Sequence, residues 1–260
     1  MLAAVSRDAY TLGAGSPGKE TANGEVFVEP VARITPSGDW QALPCFADRD
    51  GRHYANQQTA CSQFEEDYVK KPHTYTVVSA EGRGATINAA PATLTDCWGY
   101  TATGTYSGAD INSFAIAASS TDFFSDSPAP QLLPEPEAKL VIQTLAAAVP
   151  GRLGPTSRLQ VFSLRLEGQD FALVQTSYVE SSSTRLIFAV GEIDQGRFRI
   201  LHWKNNVDDE HEVMLATVHL TNGRDFLITT VTDPEGQWFR VYGIRQGKLV
   251  RVYSGGGSSC

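Results

Sequence analysis

From residue 159 to 253 the chain falls into short β-prone runs. In the first of them Phe162, Leu164 and Leu166 fall on one side and Val161, Ser163 and Arg165 on the other, the pattern of an antiparallel strand with one buried and one wet face. Eight such runs are separated by turn residues. The first set is 159–166, a turn at Glu167-Gly168-Gln169, 170–177, 185–193, a turn at Asp194-Gln195-Gly196, and 197–203. The second set is 213–220, a turn at Thr221-Asn222-Gly223-Arg224, 225–231, 237–244, a turn at Arg245-Gln246-Gly247, and 248–253. Asp170-Phe171-Ala172-Leu173 matches Asp225-Phe226-Leu227-Ile228, and Gln195-Gly196-Arg197 matches Gln246-Gly247-Lys248. Two copies of one four-stranded meander are the simplest account.

Upstream the period changes. Leu140, Val141, Leu145 and Ala148 form a stripe at helical spacing that ends at Pro150-Gly151, which predicts a helix over 137–149. Before it, residues 125–136 hold four prolines in twelve residues, the composition of a semi-rigid connector and the expected domain boundary. Residues 25–124 read as a strand-rich domain. Val26, Val28 and 31–34 make one strand, Trp40 to Leu43 another after the Pro36-Ser37-Gly38-Asp39 turn, and 74–78, 85–87, 97–105 and 114–118 four more. A helix is expected over 59–71, with Phe64, Tyr68 and Val69 on one face and Pro72 as its stop. Residues 11–24 are small and polar, Leu2 to Val5 is only a short apolar segment, and 1–24 read as a disordered tail, with 255–260 a flexible end. The fold class expected is therefore mainly β, with an N-terminal strand-rich domain, a helix, and two four-stranded repeats.

Composition narrows the function classes. The chain has 260 residues, a net charge of −8 and 42% hydrophobic residues, so phosphate backbones and anionic lipid would repel it at long range and nucleic acid is not an expected partner. No apolar run has the length of a membrane-spanning helix. Four cysteines allow three pairings. Cys45 and Cys61 are the expected pair, because the loop between them is polar and glycine-bearing with little else to order it, and Cys97 stays open as a substitute for either. Cys260 lies in a Gly-Gly-Gly-Ser-Ser end.

The paired meanders, with an acidic turn between their first two strands, resemble the FG-GAP or VCBS-type propeller blades of extracytoplasmic bacterial proteins. The whole layout resembles a group of bacterial secreted or lipoprotein-like chains that carry two such blades near the C-terminus. The resemblance implies blade-like packing and a secreted or extracytoplasmic location with a leader upstream of this start, the cytoplasm being the other compartment considered. It implies no reaction. Two blades cannot close a ring, so their exposed faces need cover from the helix and the N-terminal domain.

Chemistry is sparse. Blade turns of that type often bind calcium through several converging carboxylates, but here they read Glu167-Gly168-Gln169-Asp170 and Asn222-Gly223-Arg224-Asp225. Asp48-Arg49-Asp50-Gly51 opens like a calcium loop and then offers Thr59 where the twelfth-position carboxylate belongs. Asp208, Asp209, Glu210 and Glu212 crowd around His211 and are the metal candidates, with calcium as the ion; a solvated loop is the plainer reading. His211-Glu212 meets Leu215 where a zinc protease has its second histidine, and Ser107 is one position late for a nucleophile elbow. Trp40, Trp98, Tyr100 and Tyr106 are candidates for a carbohydrate or peptide surface, against ordinary core packing. No catalytic or cofactor residue is expected. The leading expectation is a non-catalytic extracytoplasmic binding or envelope-associated protein with a protein or carbohydrate partner. The alternatives are a hydrolase, glycoside-directed for instance, whose carboxylates lie far apart in sequence, and a purely structural module; ligand and oligomeric state stay open.

Overall fold

The computed structural model describes residues 1–7, 24–45, 54–94, 100–111, 114–126, 128–148, 159–176, 187–194, 197–205, 210–233 and 236–259. The N-terminal half contains β1 (Leu2–Ser6), β2 (Glu25–Ile34), β3 (Trp40–Gln41), α1 (Tyr54–Phe64), β4 (His73–Val77), β5 (Thr86–Ala89), β6 (Thr93–Leu94), β7 (Tyr100–Ser107) and β8 (Phe114–Ala118). Six of these strands close into an antiparallel barrel, β1-β2-β7-β5-β4-β8, because β2 pairs with β7 as well as with β1. Such a barrel has room only for small or slender side chains. Ala3, Ala85, Ala89, Ala102, Ala115 and Ala117 fill it beside Val5, Val26, Val28, Tyr75, Val77, Ile87 and Ile111. The helix expected over 59–71 starts earlier, as α1, and passes into a π-helical turn at Glu65–Val69. Phe64 and Val69 are buried with Leu43, Cys45 and Tyr100, and Tyr68 packs against them.

Two corrections concern the chain ends. Leu2–Ser6, read as part of a tail, is a fully buried strand paired with both β2 and β8. It shows no alternation because one face lines the barrel and the other meets the C-terminal half, so both must be apolar. Residues 8–23 of the expected tail lie outside the described residues. The expected flexible end is also a strand: residues 255–259 finish the last strand of the chain, paired to 236–239. Its glycines let backbones touch, since a Cβ on Gly256 would stand 2.5 Å from the Val31 carbonyl oxygen.

The eight C-terminal strands follow the expected order: β11 (Leu159–Leu166), β12 (Gln169–Thr176), β13 (Ile187–Asp194), β14 (Arg197–Asn205), β15 (His211–Leu220), β16 (Asp225–Asp233), β17 (Gly236–Arg245) and β18 (Lys248–Ser259). Two hairpins turn on two residues with positive φ, Glu167-Gly168 and Gln246-Gly247, the geometry that matches strand twist. The connector supplies a further short strand to each meander: β9 (Phe124–Ser125) pairs with β15 and β10 (Gln131–Leu132) with β11. The result is two five-stranded sheets, β10-β11-β12-β13-β14 (sheet 1) and β18-β17-β16-β15-β9 (sheet 2).

The layers stack in one order. The helix α2 (Glu135–Ala148) covers the outer face of sheet 1 through Val141 and Leu145. From the expected stripe Leu140 is 42% exposed, while Ala138 and Ile142 join the contact instead. The inner face of sheet 1 meets sheet 2 through Leu164, Phe171, Leu173, Phe188, Leu227 and Ile244. The other face of sheet 2 packs on the barrel wall, where Leu2, Ala4, Phe27, Val31 and Ile116 meet Val218, Phe226, Ile228, Phe239 and Tyr253.

Candidate functional site

The interlayer between the two sheets is apolar around Leu164, Phe171, Phe188, Leu227 and Ile244 and polar around Glu212 and Arg240. Glu212 on β15 is 3% exposed and Arg240 on β17 is 5% exposed. Their register partners, Val231 and Thr229, lie side by side on β16, so alternation directs both inward. Glu212 accepts hydrogen bonds from Arg240 Nη1 at 2.7 Å, Thr229 Oγ1 at 2.8 Å and the Tyr242 hydroxyl at 2.7 Å. The same Nη1 lies 2.7 Å from Glu210, which also accepts from Lys204 of β14. His202, also on β14, places Nε2 3.5 Å from the Tyr242 hydroxyl. One sheet thus supplies the acids, the arginine and the tyrosine, and the other caps them with a lysine and a histidine.

Electrostatics follow from burial and pairing. Burial lowers the pKa of His202; Glu212 opposes this, and Lys204, Arg240 and Arg251 add to it, so the imidazole is neutral at pH 7. Burial also raises the Tyr242 pKa, reinforced by Glu212, which keeps the phenol a donor. For Glu210 burial works against ionisation, yet Lys204 and Arg240 together hold its carboxyl below the ordinary value. Burial alone lowers His211. The arrangement is an internal ion-pair network whose acid lone pairs are taken by protein donors.

Of the acidic cluster seen in the sequence, Glu210 and Glu212 belong to this network, facing a guanidinium where a metal ion would have to sit; Asp208 and Asp209 lie outside the described residues. The two acidic turns meet each other. Asp225 accepts from the Glu167 backbone N–H and pairs with His219 Nδ1 at 2.7 Å, while Arg224 Nε stands 3.5 Å from Glu167. The disulfide joins Cys45 to Cys61, with an S–S length of 2.05 Å; Cys97 and Cys260 lie outside the described residues. Glu65 is close to both sulfurs, but sulfurs bonded to each other are not thiolate ligands, and Glu65 accepts from the Tyr100 hydroxyl.

Of the aromatic candidates, Trp40, Tyr100 and Tyr106 pack against three different clusters. Trp40 packs on Phe226 and Tyr253 at 5.5 and 5.9 Å between the barrel and sheet 2, and Tyr100 is 7% exposed. Tyr106 donates to Asp110, and Trp98 lies outside the described residues. A small cavity of about 10 Å³ lies among Tyr68, His73, Tyr75 and Ala92, room for about one water. Sequence reasoning did not single out Arg240, Tyr242, Thr229 or His202. One signal was there: Arg240 interrupts Trp238-Phe239-Arg240-Val241-Tyr242, a lone cation in a run too apolar for an exposed strand.

No family model, curated protein or solved structure matches this chain.

Proposed function

We propose that this protein is a non-catalytic extracytoplasmic binding or envelope-associated module whose C-terminal half is a pair of FG-GAP-like blades capped by α2 on one side and by the barrel on the other. The observation that carries the reading is the commitment of the clustered acids. Glu212 has three protein donors and Glu210 two cations, whereas a general acid or base needs a proton or lone pair that faces substrate. The Cys45–Cys61 disulfide supports an oxidising compartment. No helix among the described residues is long and apolar enough to cross a membrane.

The test pairs two measurements on the purified protein: co-sedimentation with bacterial cell envelopes, and turnover of chromogenic glycosides, esters and peptides. Saturable co-sedimentation without turnover is expected. Protein that stays in the supernatant, or turnover abolished by Glu212→Gln, overturns the reading.

A further inference from the structure

Cys61 lies in the last turn of α1, and Glu65 follows four residues on, where the helix widens into the π-helical turn, so the two side chains leave the same face. The Lys70 N–H closes that turn on the Glu65 carbonyl at 2.8 Å, and π turns recur at functional positions. Cys45 approaches from the chain after β3, its Cα 4.7 Å from that of Cys61. Both sulfurs and a carboxylate oxygen of Glu65 lie within 4.8 Å of one another, the only such set of three metal-ligating atoms among the described residues. Tyr100 of β7, 7% exposed, donates to Glu65 Oε1 at 2.6 Å, which orients the carboxylate and leaves lone pairs on its other oxygen. Leu43, Phe64 and Val69 wall the group on its inner side, while Cys61 and Glu65 are only half-buried.

With the sulfurs bonded to each other this group holds no ion. We infer that the Cys45–Cys61 disulfide masks a zinc site, which a dithiol reductant opens. The reductant delivers two electrons and two protons to the S–S bond, leaving two thiols here and closing its own disulfide. Rotation about the Cα–Cβ bonds then lets the sulfurs separate without moving the backbone. Zn²⁺ displaces both thiol protons to solvent and takes two thiolates and the Glu65 carboxylate, a borderline-soft ion on a mixed S and O set with its fourth position left to water. The Tyr100 hydroxyl is a positioning group. This inference goes beyond the binding-module reading and stands or falls apart from it.

The experiment titrates Co²⁺, as a spectroscopic stand-in for zinc, into the full chain before and after treatment with dithiothreitol, which is removed without air. The reduced protein should take up one Co²⁺ per chain with a sulfur-to-cobalt charge-transfer band that Zn²⁺ displaces, and the oxidised protein should show none. Glu65→Ala should weaken Co²⁺ binding roughly tenfold or more, Tyr100→Phe by a smaller factor, and Tyr100→Phe should add nothing to Glu65→Ala. Zn²⁺ should also raise the melting temperature of the reduced protein. A disulfide that dithiothreitol fails to open in the folded protein overturns the inference, as does a reduced protein without the band or an affinity unchanged by Glu65→Ala. Circular dichroism covers the remaining outcome: if reduction unfolds the chain and Zn²⁺ does not refold it, the ion binds loose thiols and the inference falls.

Discussion

Ionisable groups are buried against both faces of sheet 2, and the two faces treat them in opposite ways. Toward sheet 1 it buries Glu212, which has three donors, and Arg240, which has two carboxylates. Toward it, from the barrel, comes Glu29 of β2. Glu29 faces Ala4 of β1 in register, and Ala4 faces Ile116 of β8, so the carboxyl shares the wall face that packs on sheet 2. It is 1% exposed and neither oxygen has a hydrogen-bond partner; burial pushes its pKa well up, with no charged neighbour contributing. A buried carboxyl in reach of donors keeps its charge, while one without them takes up a proton and only subtracts from stability.

The largest effect should come from breaking the paired face. Arg240→Met leaves Glu212 and Glu210 without their guanidinium and should cost about 3–5 kcal/mol in urea unfolding at pH 7, while Arg240→Met with Glu212→Leu should recover most of that loss. A double variant as unstable as the single one would mean that the network does more than satisfy itself. The disulfide lies outside both interfaces and serves as a control. Replacing Cys45 and Cys61 by Ser should cost about 3 kcal/mol on the chain-entropy estimate and leave the pH dependence of stability unchanged, and a changed pH profile would tie the barrel end to the interfaces.

Relieving the unpaired face comes next. Because the folded pKa of Glu29 lies above its ordinary value near 4.5, folding retains a proton that the unfolded chain releases. The penalty is absent below that value and grows by about 1.4 kcal/mol per pH unit as pH rises toward the folded pKa. Glu29→Met should therefore stabilise the protein by about 1–3 kcal/mol at pH 8 and much less at pH 4, measured as the difference in urea midpoint times slope. A gain equal at both pH values would show that Glu29 is not protonated in the fold. The smallest effect is expected from Tyr242→Phe, which removes one of three donors to Glu212 and should cost about 1 kcal/mol; a cost matching that of Arg240→Met would make the hydroxyl, not the guanidinium, the main partner.

How legible these features were depends on how local their causes are. The hairpins at Glu167-Gly168 and Gln246-Gly247 and the alternation of 159–166 are written in adjacent residues, and the eight C-terminal strands stand where the pattern puts them. The strand at Leu2–Ser6 was hidden because a strand buried on both faces has no alternation to read. The glycines at 255–257 looked like a loose end because their use, the close approach to Val31 and Gln237, depends on chain more than two hundred residues away in the first case. The acidic cluster at 208–212 was visible as carboxylates and silent about its partners, since Arg240 and Tyr242 reach Glu212 across a β-sheet and His202 and Lys204 come from the facing one.

By itself, then, the sequence determined the β content, the duplicated meander, the helix after the proline-rich connector and the pairing of Cys45 with Cys61 as an expectation. Turn chemistry, alternation and helical spacing act within a few residues and survive being read one window at a time. Tertiary structure decided that the first strands close into a barrel, that α2 and the barrel cap opposite ends of the stack, and that Glu212 is satisfied while Glu29 is not. Those outcomes depend on which faces meet, and a side chain's partner across an interlayer is chosen by packing geometry that no local window contains.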